Sequence, residues 1–348
     1  MTMRSYRLAV LPGEGIGPEV VAATLRVLQW VGERCGFAIA PQLALIGPPA
    51  FAETGQFLPA NTLRCCEQSD GILFGAVSKG GLLELRRHFD LFTNLRPVSP
   101  SPHLLHKSPL RPEVVQGADL LFVRELASGI YFGDSGRGED AEGSYGFHTM
   151  RYGDAEMRRI ARVALERAQT RRRHLTVAHK ENALPHLPWS GRVQKVAAKF
   201  PEVTVEPMLV DNLAMQLVLR PRDFDVVLAG NLFGDILSDL GGAIAGSIGM
   251  LGSASLNSRG FGLYEPIHGT APDIAGKGIA NPMGAIASAT LMLDQWGETK
   301  AAQHIRDAQE HILAQGYRTT DLSPVPPERC VTTDELMKLF RVELKHRS

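Results

Sequence analysis

Apolar and polar residues follow two patterns along the chain, and together they predict an α/β protein. Short apolar runs predict buried strands; they are RLAVL (7–11), GILFGAV (71–77), DLLFV (119–123), LTVAH (175–179) and FDVVLAG (224–230). Between these runs, helical spacing predicts helices such as 18–34 and 154–173, with Pro18 in a first turn and Asp154 as an N-cap. Strands that alternate with helices indicate a largely parallel sheet.

Two changes in composition interrupt this alternation. Pro and Ser are dense in RPVSPSPHLLHKSPLRPEV (96–114), which is typical of a crossover between domains, and GSASLNSRGFG (252–262) breaks the helical pattern near Gly252. We therefore expect the chain to pass between domains near these two segments.

Length and charge narrow the class of protein. The chain has 348 residues, of which 44% are hydrophobic and 21% charged, and its formal net charge is zero. This balance is typical of a soluble globular protein and argues against nucleic acid or an anionic membrane as the main partner.

The uncharged stretch 240–258 is too rich in Gly and Ser for a bilayer span. The basic run 171–174 ends a predicted helix, and we expect it to face solvent.

Cysteine usage and the N-terminus indicate the compartment. The four cysteines have neither a CxxC spacing nor a regular framework, which favours a reduced intracellular protein without a thiolate metal site. The first residues, MTMRSYRLAVLPGEG, hold too short an apolar run for a signal peptide. We therefore expect a cytoplasmic protein.

The segment NLFGDILSDL (231–240) places two acids on one helical face. Asp235 and Asp239 are four residues apart and stack beside the apolar row of Leu232, Ile236 and Leu240. Like charges at this spacing repel. The pair therefore needs a positive partner, either Arg and Lys side chains or a metal ion.

A third acid favours the metal without deciding the matter. Asp211 begins another predicted helix, in VDNLAMQLV (210–218). Three carboxylates, completed by water and substrate oxygens, form the octahedral oxygen shell that Mg²⁺ or Mn²⁺ prefers. Spacing alone leaves the Arg and Lys alternative open.

The segment GEGIGPE (13–19) follows the first predicted strand and is tempting as a dinucleotide-binding turn. Its glycines are spaced G-x-G-x-G, and no acid ends a second strand at the offset of about 20 residues that a Rossmann site requires. We interpret it as a tight strand-to-helix turn whose amides can still face a ligand.

Several longer motifs, in order over nearly the whole chain, resemble the β-decarboxylating dehydrogenases of the isocitrate/isopropylmalate family. They are LPGEGIGPEV (11–20), LFTNLRP (91–97), VRELASGIYFG (123–133), FHTMRY (147–152), VDNLAMQLV (210–218), NLFGDILSDL (231–240) and YEPIHGTAPDIAGKGIANP (264–282).

The resemblance implies a two-domain, non-Rossmann α/β fold. Residues 1–97 and 250–348 would form a first, NAD-binding domain with a mostly parallel sheet, and residues 98–249 a central domain with the metal site and dimer interface. Residues 129–152 would be an arm that clasps the partner. The implied homodimer shares its active sites: Lys180 and Asp211 would come from one subunit, Asp235 and Asp239 from the other.

The resemblance also implies the chemistry, which is NAD-dependent oxidative decarboxylation of a 3-substituted malate. The substrate-binding residues would be Arg86, Arg96 and Arg124 for the carboxylates, with Leu82 and Leu83 for the C3 substituent. Mg²⁺ or Mn²⁺ would be held by Asp211, Asp235 and Asp239.

Catalytic and cofactor residues follow from the same resemblance. Lys180, beside Asp211, would take the substrate hydroxyl proton, and Tyr131 would protonate the enol that decarboxylation leaves. The NAD site would comprise His268, Gly269, Asp273, Asn281 and Asn182. Asp273 would accept hydrogen bonds from the adenosine ribose and disfavour the 2′-phosphate of NADP.

Two departures from the family pattern leave the exact substrate open. Only Ser78, Lys79 and Gly80 separate FGAV from GLLELRR, so that Lys79 stands where the family carries an acid, and Ala183 replaces a bulkier residue. We expect 3-isopropylmalate, converted to 4-methyl-2-oxopentanoate and CO₂ in leucine biosynthesis. Homoisocitrate, isocitrate or a tartrate or malate type substrate is the alternative, which a Lys79 facing the pocket would favour. A catalytically silent regulatory subunit is the other class, although all the expected catalytic residues are present.

Overall fold

One mixed sheet of ten strands runs through the protein, whose computed structural model describes residues 3–346. In chain order, the described residues form fourteen strands: β1 (Arg4–Gly13), β2 (Phe37–Leu43), β3 (Gly71–Ala76), β4 (Thr93–Val98), β5 (Leu120–Glu125), β6 (Ser135–Asp140), β7 (Gly143–His148), β8 (His174–His179), β9 (Thr204–Leu209), β10 (Val226–Ala229), β11 (Gly252–Leu256), β12 (Gly262–Pro266), β13 (Tyr317–Arg318) and β14 (Arg329–Cys330). The pairs β6–β7 and β13–β14 are separate two-stranded sheets.

Helices cover both faces of this sheet. They are α1 (Gly17–Cys35), α2 (Pro48–Thr54), α3 (Ala60–Glu67), α4 (Leu82–His88), α5 (Pro112–Val115), α6 (Asp154–Gln169), α7 (Trp189–Ala197), α8 (Val210–Leu219), α9 (Asn231–Ala245), α10 (Met283–Gln295), α11 (Thr299–Ala314) and α12 (Thr333–His346). Short 3-10 helices lie at Leu105–Lys107, Pro221–Asp223, Ile248–Met250 and Thr320–Leu322. None of the helices within 3–346 is long and apolar enough to cross a membrane.

The sheet has the strand order β2-β1-β3-β12-β11-β4-β5-β10-β8-β9. Its pairings are parallel on both sides and antiparallel in the centre, where β12, β11, β4 and β5 are neighbours. The α/β class and the predicted strands are confirmed. Strands β5, β10, β8 and β9 come from the predicted central domain and form one side of the sheet. The division into two domains at 97/98 and 249/250 remains a prediction.

Helix ends depart from the sequence prediction at α6. Asp154 is its first helical residue and Gly153 its N-cap, so the prediction of Asp154 as the cap is wrong. The Glu156 carboxylate accepts a hydrogen bond from the Gly153 N–H at 2.5 Å and satisfies this helix start instead.

The basic run after α6 also departs from expectation. The Nε of Arg171 donates to the carboxylate of Asp225 at 2.7 Å, and Asp225 is 1% exposed. The Arg172 N–H donates to the same carboxylate at 2.8 Å. A buried carboxylate needs such partners, and the prediction that this run faces solvent is therefore wrong for Arg171.

Helix α9 packs on β5 through its small residues. Its buried positions are Asn231, Gly234, Leu237, Ser238, Gly241, Gly242, Ile244 and Ala245. A Cβ on Gly234 would lie 2.7 Å from the side chain of Arg124, so glycine permits this close approach. In the apolar row of Leu232, Ile236 and Leu240, Ile236 is 59% exposed, whereas Leu240 is partly buried against the core. The two acids of this helix therefore border an exposed apolar surface.

A buried glutamate ends β5. Glu125 is fully buried, and its two carboxylate oxygens accept hydrogen bonds from the N–H groups of Ala127 and Ser128, each at 3.0 Å. Burial raises the pKa of Glu125 to about 7 against the opposing effect of these two donors.

We predict that this carboxyl makes stability fall with rising pH. Because its folded pKa lies above the unfolded one, its stabilisation is complete below the ordinary glutamate pKa and is lost as pH rises through about 7. Between pH 5 and 8, the free energy of unfolding should fall more for the wild type than for Glu125→Gln, by about 1–3 kcal/mol. Denaturant titrations at each pH measure this. Glu113→Gln, at an exposed glutamate, should keep the wild-type slope; a shared slope for all three proteins contradicts the prediction.

Candidate active site

A cavity of about 390 Å³ lies beyond the carboxyl ends of β3, β5 and β12, between α4 and α9. It brings together many of the predicted site residues, namely Leu82, Leu83, Arg86, Arg96, Arg124, Tyr131, Asp235, His268 and Gly269. Its other lining residues are Phe74, Gly75, Ala76, Val77, Glu265, Pro266 and Ile267. The cavity thus combines three guanidinium groups with an apolar wall, as a carboxylate ligand with an apolar substituent requires.

Two of the arginines pair with the acids of α9. Asp235 accepts a short hydrogen bond from Nη1 of Arg124 and lies 3.3 Å from Nη2 of Arg96. Arg96 also donates from Nη1 to Asp239 at 2.9 Å. Burial lowers the pKa of Arg124 to about 10, so the guanidinium remains charged at neutral pH. Within one chain, arginines therefore provide the positive partners that the two acids need.

The third arginine has a partner that the sequence reasoning missed. Nη2 of Arg86 donates to Glu265 at 2.8 Å, and both side chains are about nine-tenths buried. The sequence signal that could have revealed this pair is Glu265, an acid near the end of the strand-like run before HGTAP. A buried acid on a strand needs a cation as its partner.

Several polar atoms beside the cavity have no hydrogen-bond partner within residues 3–346. They are the buried Nε atoms of Arg86 and Arg96 and Nε2 of His268. Nδ1 of His268 lies 2.9 Å from the Gly269 carbonyl oxygen, and burial lowers the pKa of this imidazole. Unpaired buried polar atoms are costly, and these are placed where a polar ligand would satisfy them.

Tyr131 reaches the acid cluster from the loop after β5. Its hydroxyl donates to the Asp235 carboxylate at 3.2 Å, and its side chain is 40% exposed. Burial, followed by the negative charge of Asp235, raises the pKa of Tyr131. The phenol is therefore protonated at neutral pH and can serve as a proton donor.

Lys180 and Asp211 are paired with each other away from this cavity. Nζ of Lys180 donates to the Asp211 carboxylate at 2.8 Å, and this bond lowers the pKa of Asp211. In the described part of the chain, no three His, Cys, Asp or Glu side chains are grouped to hold a metal ion. One chain thus brings Asp235 and Asp239 together without Asp211.

The remaining predicted cofactor residues lie outside the cavity lining. Asp273 is exposed in the loop before α10, and Asn182 is exposed two residues after Lys180. Asn281 is 5% exposed; it accepts from the Met283 N–H at 3.0 Å, at the start of α10, and donates to Asp321 at 3.1 Å. Asn281 therefore has a structural role at this helix start.

Lys79 is not among the residues that line the cavity. Its Nζ lies 5.7 Å from the centre of the Phe57 ring, a cation–π arrangement. The loop is also held by Glu14, which accepts from the Ser78 N–H at 2.6 Å. The wall beside this loop is apolar, because Val77, Leu82 and Leu83 line it.

Comparison with known proteins assigns this fold to a family of dehydrogenases. The family model for isocitrate/isopropylmalate dehydrogenase matches residues 7–339, and the chain belongs to this family. The 3-isopropylmalate dehydrogenase of Halalkalibacterium halodurans is 49% identical over 97% of this chain and 98% of its own length. That of Aquifex aeolicus is 46% identical over 92% of each chain.

Solved structures show the same fold. The isocitrate dehydrogenase of Methylococcus capsulatus superposes with a TM-score of 0.87 at 28% identity, covering 98% of this chain and 100% of its own. A β-decarboxylating dehydrogenase of Thermococcus kodakarensis reaches 0.80 at 34% identity, covering 98% and 96%. Both cover nearly the whole of this chain, so the family fold extends over both of its predicted domains.

The glycine turn after β1 fastens the loop that carries His268 and Gly269. Gly13 and Gly15 have φ of +69° and +63°, and the Ile16 N–H donates to the Thr270 carbonyl at 2.9 Å. A Cβ on Gly15 would lie 2.0 Å from the Thr270 carbonyl oxygen. The tight strand-to-helix turn predicted for GEGIGPE is confirmed.

We predict that Gly15→Ala destabilises the protein more than Gly36→Ala. Both glycines have positive φ, but a Cβ on Gly36 meets no atom within 4 Å. Gly36→Ala should cost about 1 kcal/mol of backbone strain, whereas Gly15→Ala must also displace the Thr270 loop, at roughly 1–3 kcal/mol more. Urea unfolding measures both. Equal losses would mean that the turn and the loop are not in this close contact.

Proposed function

We propose that the chain is a 3-isopropylmalate dehydrogenase, which converts 3-isopropylmalate and NAD to 4-methyl-2-oxopentanoate, CO₂ and NADH. The observation that carries this proposal is the cavity in which Arg86, Arg96 and Arg124 face an apolar wall. Two relatives of that name, each 49% identical to this chain, support it.

The cavity suits both ends of this substrate. Two carboxylates match the guanidinium groups, and the unpaired Nε atoms of Arg86 and Arg96 provide buried donors beside them. The isopropyl group would lie on Leu82 and Leu83, of which Leu83 is 43% exposed. Lys79 packs on Phe57 and is not among the residues that line this wall, so it is not placed to pair with the extra carboxylate of homoisocitrate or isocitrate.

The residues present fit a divalent metal and NAD. Asp235 and Asp239 would hold Mg²⁺ or Mn²⁺, completed by Asp211 of a second copy of the chain. His268, whose buried Nε2 has no partner within residues 3–346, and Gly269, Asp273, Asn281 and Asn182 would form the NAD site, with Asp273 selecting against NADP. When bound, the metal supplies Lewis acidity at the C2 oxygen and NAD accepts the hydride.

Two side chains would move the protons. Lys180, as the neutral amine, takes the proton of the C2 hydroxyl as oxidation proceeds. The ammonium that results is held by Asp211, whose carboxylate lies 2.8 Å from Nζ. Tyr131, protonated at neutral pH, donates to the carbon that loses CO₂. Its hydrogen bond to Asp235 fixes the phenol next to the arginines that hold the carboxylates.

We also propose a homodimer with shared sites. Large apolar side chains on α8 and α9 face outward, with Met215 at 52%, Leu219 at 62% and Ile236 at 59% exposure. The hairpin of β6 and β7, in the predicted arm 129–152, is exposed along nearly its whole length. A second copy on these surfaces would cover the apolar face and complete the metal site.

The four cysteines are free thiols, which supports a reducing compartment such as the cytoplasm.

The test is NAD reduction at 340 nm with Mn²⁺, comparing 3-isopropylmalate with homoisocitrate, isocitrate, malate and tartrate. We expect 3-isopropylmalate to give the highest kcat/KM, EDTA to abolish turnover, and NADP to be a poor substitute. Preference for a tricarboxylate would overturn the substrate and keep the reaction class. No turnover of any compound would favour a silent regulatory subunit.

Shared sites predict that two inactive variants complement each other. Lys180→Ala and Asp235→Asn should each lose nearly all activity as homodimers. Co-expressed in equal amounts, they should recover about one quarter of wild-type activity, because half of randomly paired dimers carry one intact site. Activity of the purified mixture measures this. If each site lay within one chain, the mixture would remain inactive.

A further inference from the structure

Asn231, the first residue of α9, holds the guanidinium of Arg124. Its side chain is fully buried, and Oδ1 accepts hydrogen bonds from Nε of Arg124 at 3.0 Å and from Nη2 at 2.7 Å. Nη1 of the same guanidinium donates to Asp235. One edge of the planar fork is therefore fixed by an amide, and another by a carboxylate.

The same residue is hydrogen-bonded to the segment just before the predicted arm 129–152 and to the last residue of the arm. Its Nδ2 donates to the Ser128 carbonyl at 2.9 Å and lies 3.4 Å from the Leu126 carbonyl, just before residue 129. Its backbone N–H donates to the Tyr152 hydroxyl at 2.7 Å. A Cβ on Gly129 would lie 2.2 Å from that hydroxyl, so both ends of the arm meet at Tyr152 and Asn231.

A role in helix capping does not account for these bonds. The N-cap of α9 is Gly230, and no side-chain cap is present there. Asparagine is a poor helix former, and burying its amide is costly unless every polar atom is bonded. The bonds that satisfy this amide lead to Arg124 and to the residues before the arm.

We infer that Asn231 is a positioning residue, which orients Arg124 toward the substrate carboxylate and ties this orientation to the seating of the arm. The inference rests on the proposed function for the identity of the substrate. A guanidinium recognises a carboxylate through its planar fork, so rotation about its side chain changes which N–H groups face the cavity. The arm thereby influences substrate binding as well as dimer contact.

The first test is a double-mutant cycle between Asn231→Ser and Arg124→Lys. Asn231→Ser should lower kcat/KM for 3-isopropylmalate by about ten- to a hundredfold, chiefly through KM, with the KM for NAD within twofold. In the Arg124→Lys background, the same substitution should cost less than about threefold, because its effect passes through Arg124. Multiplicative losses, or an unchanged substrate KM in the single variant, overturn the inference.

A matched pair of tyrosine variants tests the link to the arm if Asn231→Ser folds poorly. Tyr152→Phe removes the acceptor of the Asn231 N–H. The control, Tyr6→Phe, removes a hydroxyl near the start of β1 that donates to Glu298 at 2.8 Å. We expect a severalfold higher substrate KM for Tyr152→Phe and wild-type kinetics for Tyr6→Phe. Equal kinetics for the two variants overturn the link.

Hydrogen exchange separates this inference from the proposed function. Without any substrate, Asn231→Ser and Tyr152→Phe should each speed exchange of amides in residues 126–133 and 149–152, and Tyr6→Phe should not. Unchanged exchange in these segments overturns the inference whatever the substrate is. A wild type that does not turn over 3-isopropylmalate contradicts the proposed function alone.

Discussion

The ion cluster between Arg96, Arg124 and the acids of α9 is the constraint on which the site depends. Arg124 is 2% and Arg96 8% exposed, and a guanidinium can be buried to this extent only against carboxylates and other acceptors. This requirement sets how α9 lies on β5, since Asp235 must reach both arginines. Gly234 then permits the helix to lie directly on the Arg124 side chain.

The cluster also explains how the charges of one chain are compensated without the metal ion and second copy of the proposed dimer. In the single chain, Asp235 and Asp239 balance the arginines, and Lys180 balances Asp211. Neither the cluster of arginines and acids nor the Lys180–Asp211 pair leaves an uncompensated charge. In the proposed dimer, the same carboxylates would exchange part of this pairing for a metal ion, and the arginines would be free to bind the substrate carboxylates. Assembly and ligand binding are therefore expected to be coupled.

The short loop 78–80 bears on substrate choice because it is held away from the cavity. Glu14 binds the Ser78 N–H and Phe57 receives the Lys79 side chain, so the shortened loop contributes no charge to the wall. The apolar surface of Val77, Leu82 and Leu83 remains. A wall of this kind favours an aliphatic substituent over a carboxylate, because an unpaired charge would lose its hydration there.

The sequence by itself determined five strands of the sheet, helices α1, α6, α8 and α9, the tight turn after β1 and, through long motifs, many of the residues that line the cavity. These are local properties, because apolar spacing, glycine content and residue order can be read directly from the sequence. Only the tertiary structure decided which distant side chains contact each other. Arg171 pairs with buried Asp225, Arg86 pairs with Glu265, Lys79 packs on Phe57, and Ile236 faces outward. Each of these outcomes depends on which distant segment supplies an opposite charge or an apolar surface, and such burial is a property of the packed chain that spacing does not encode.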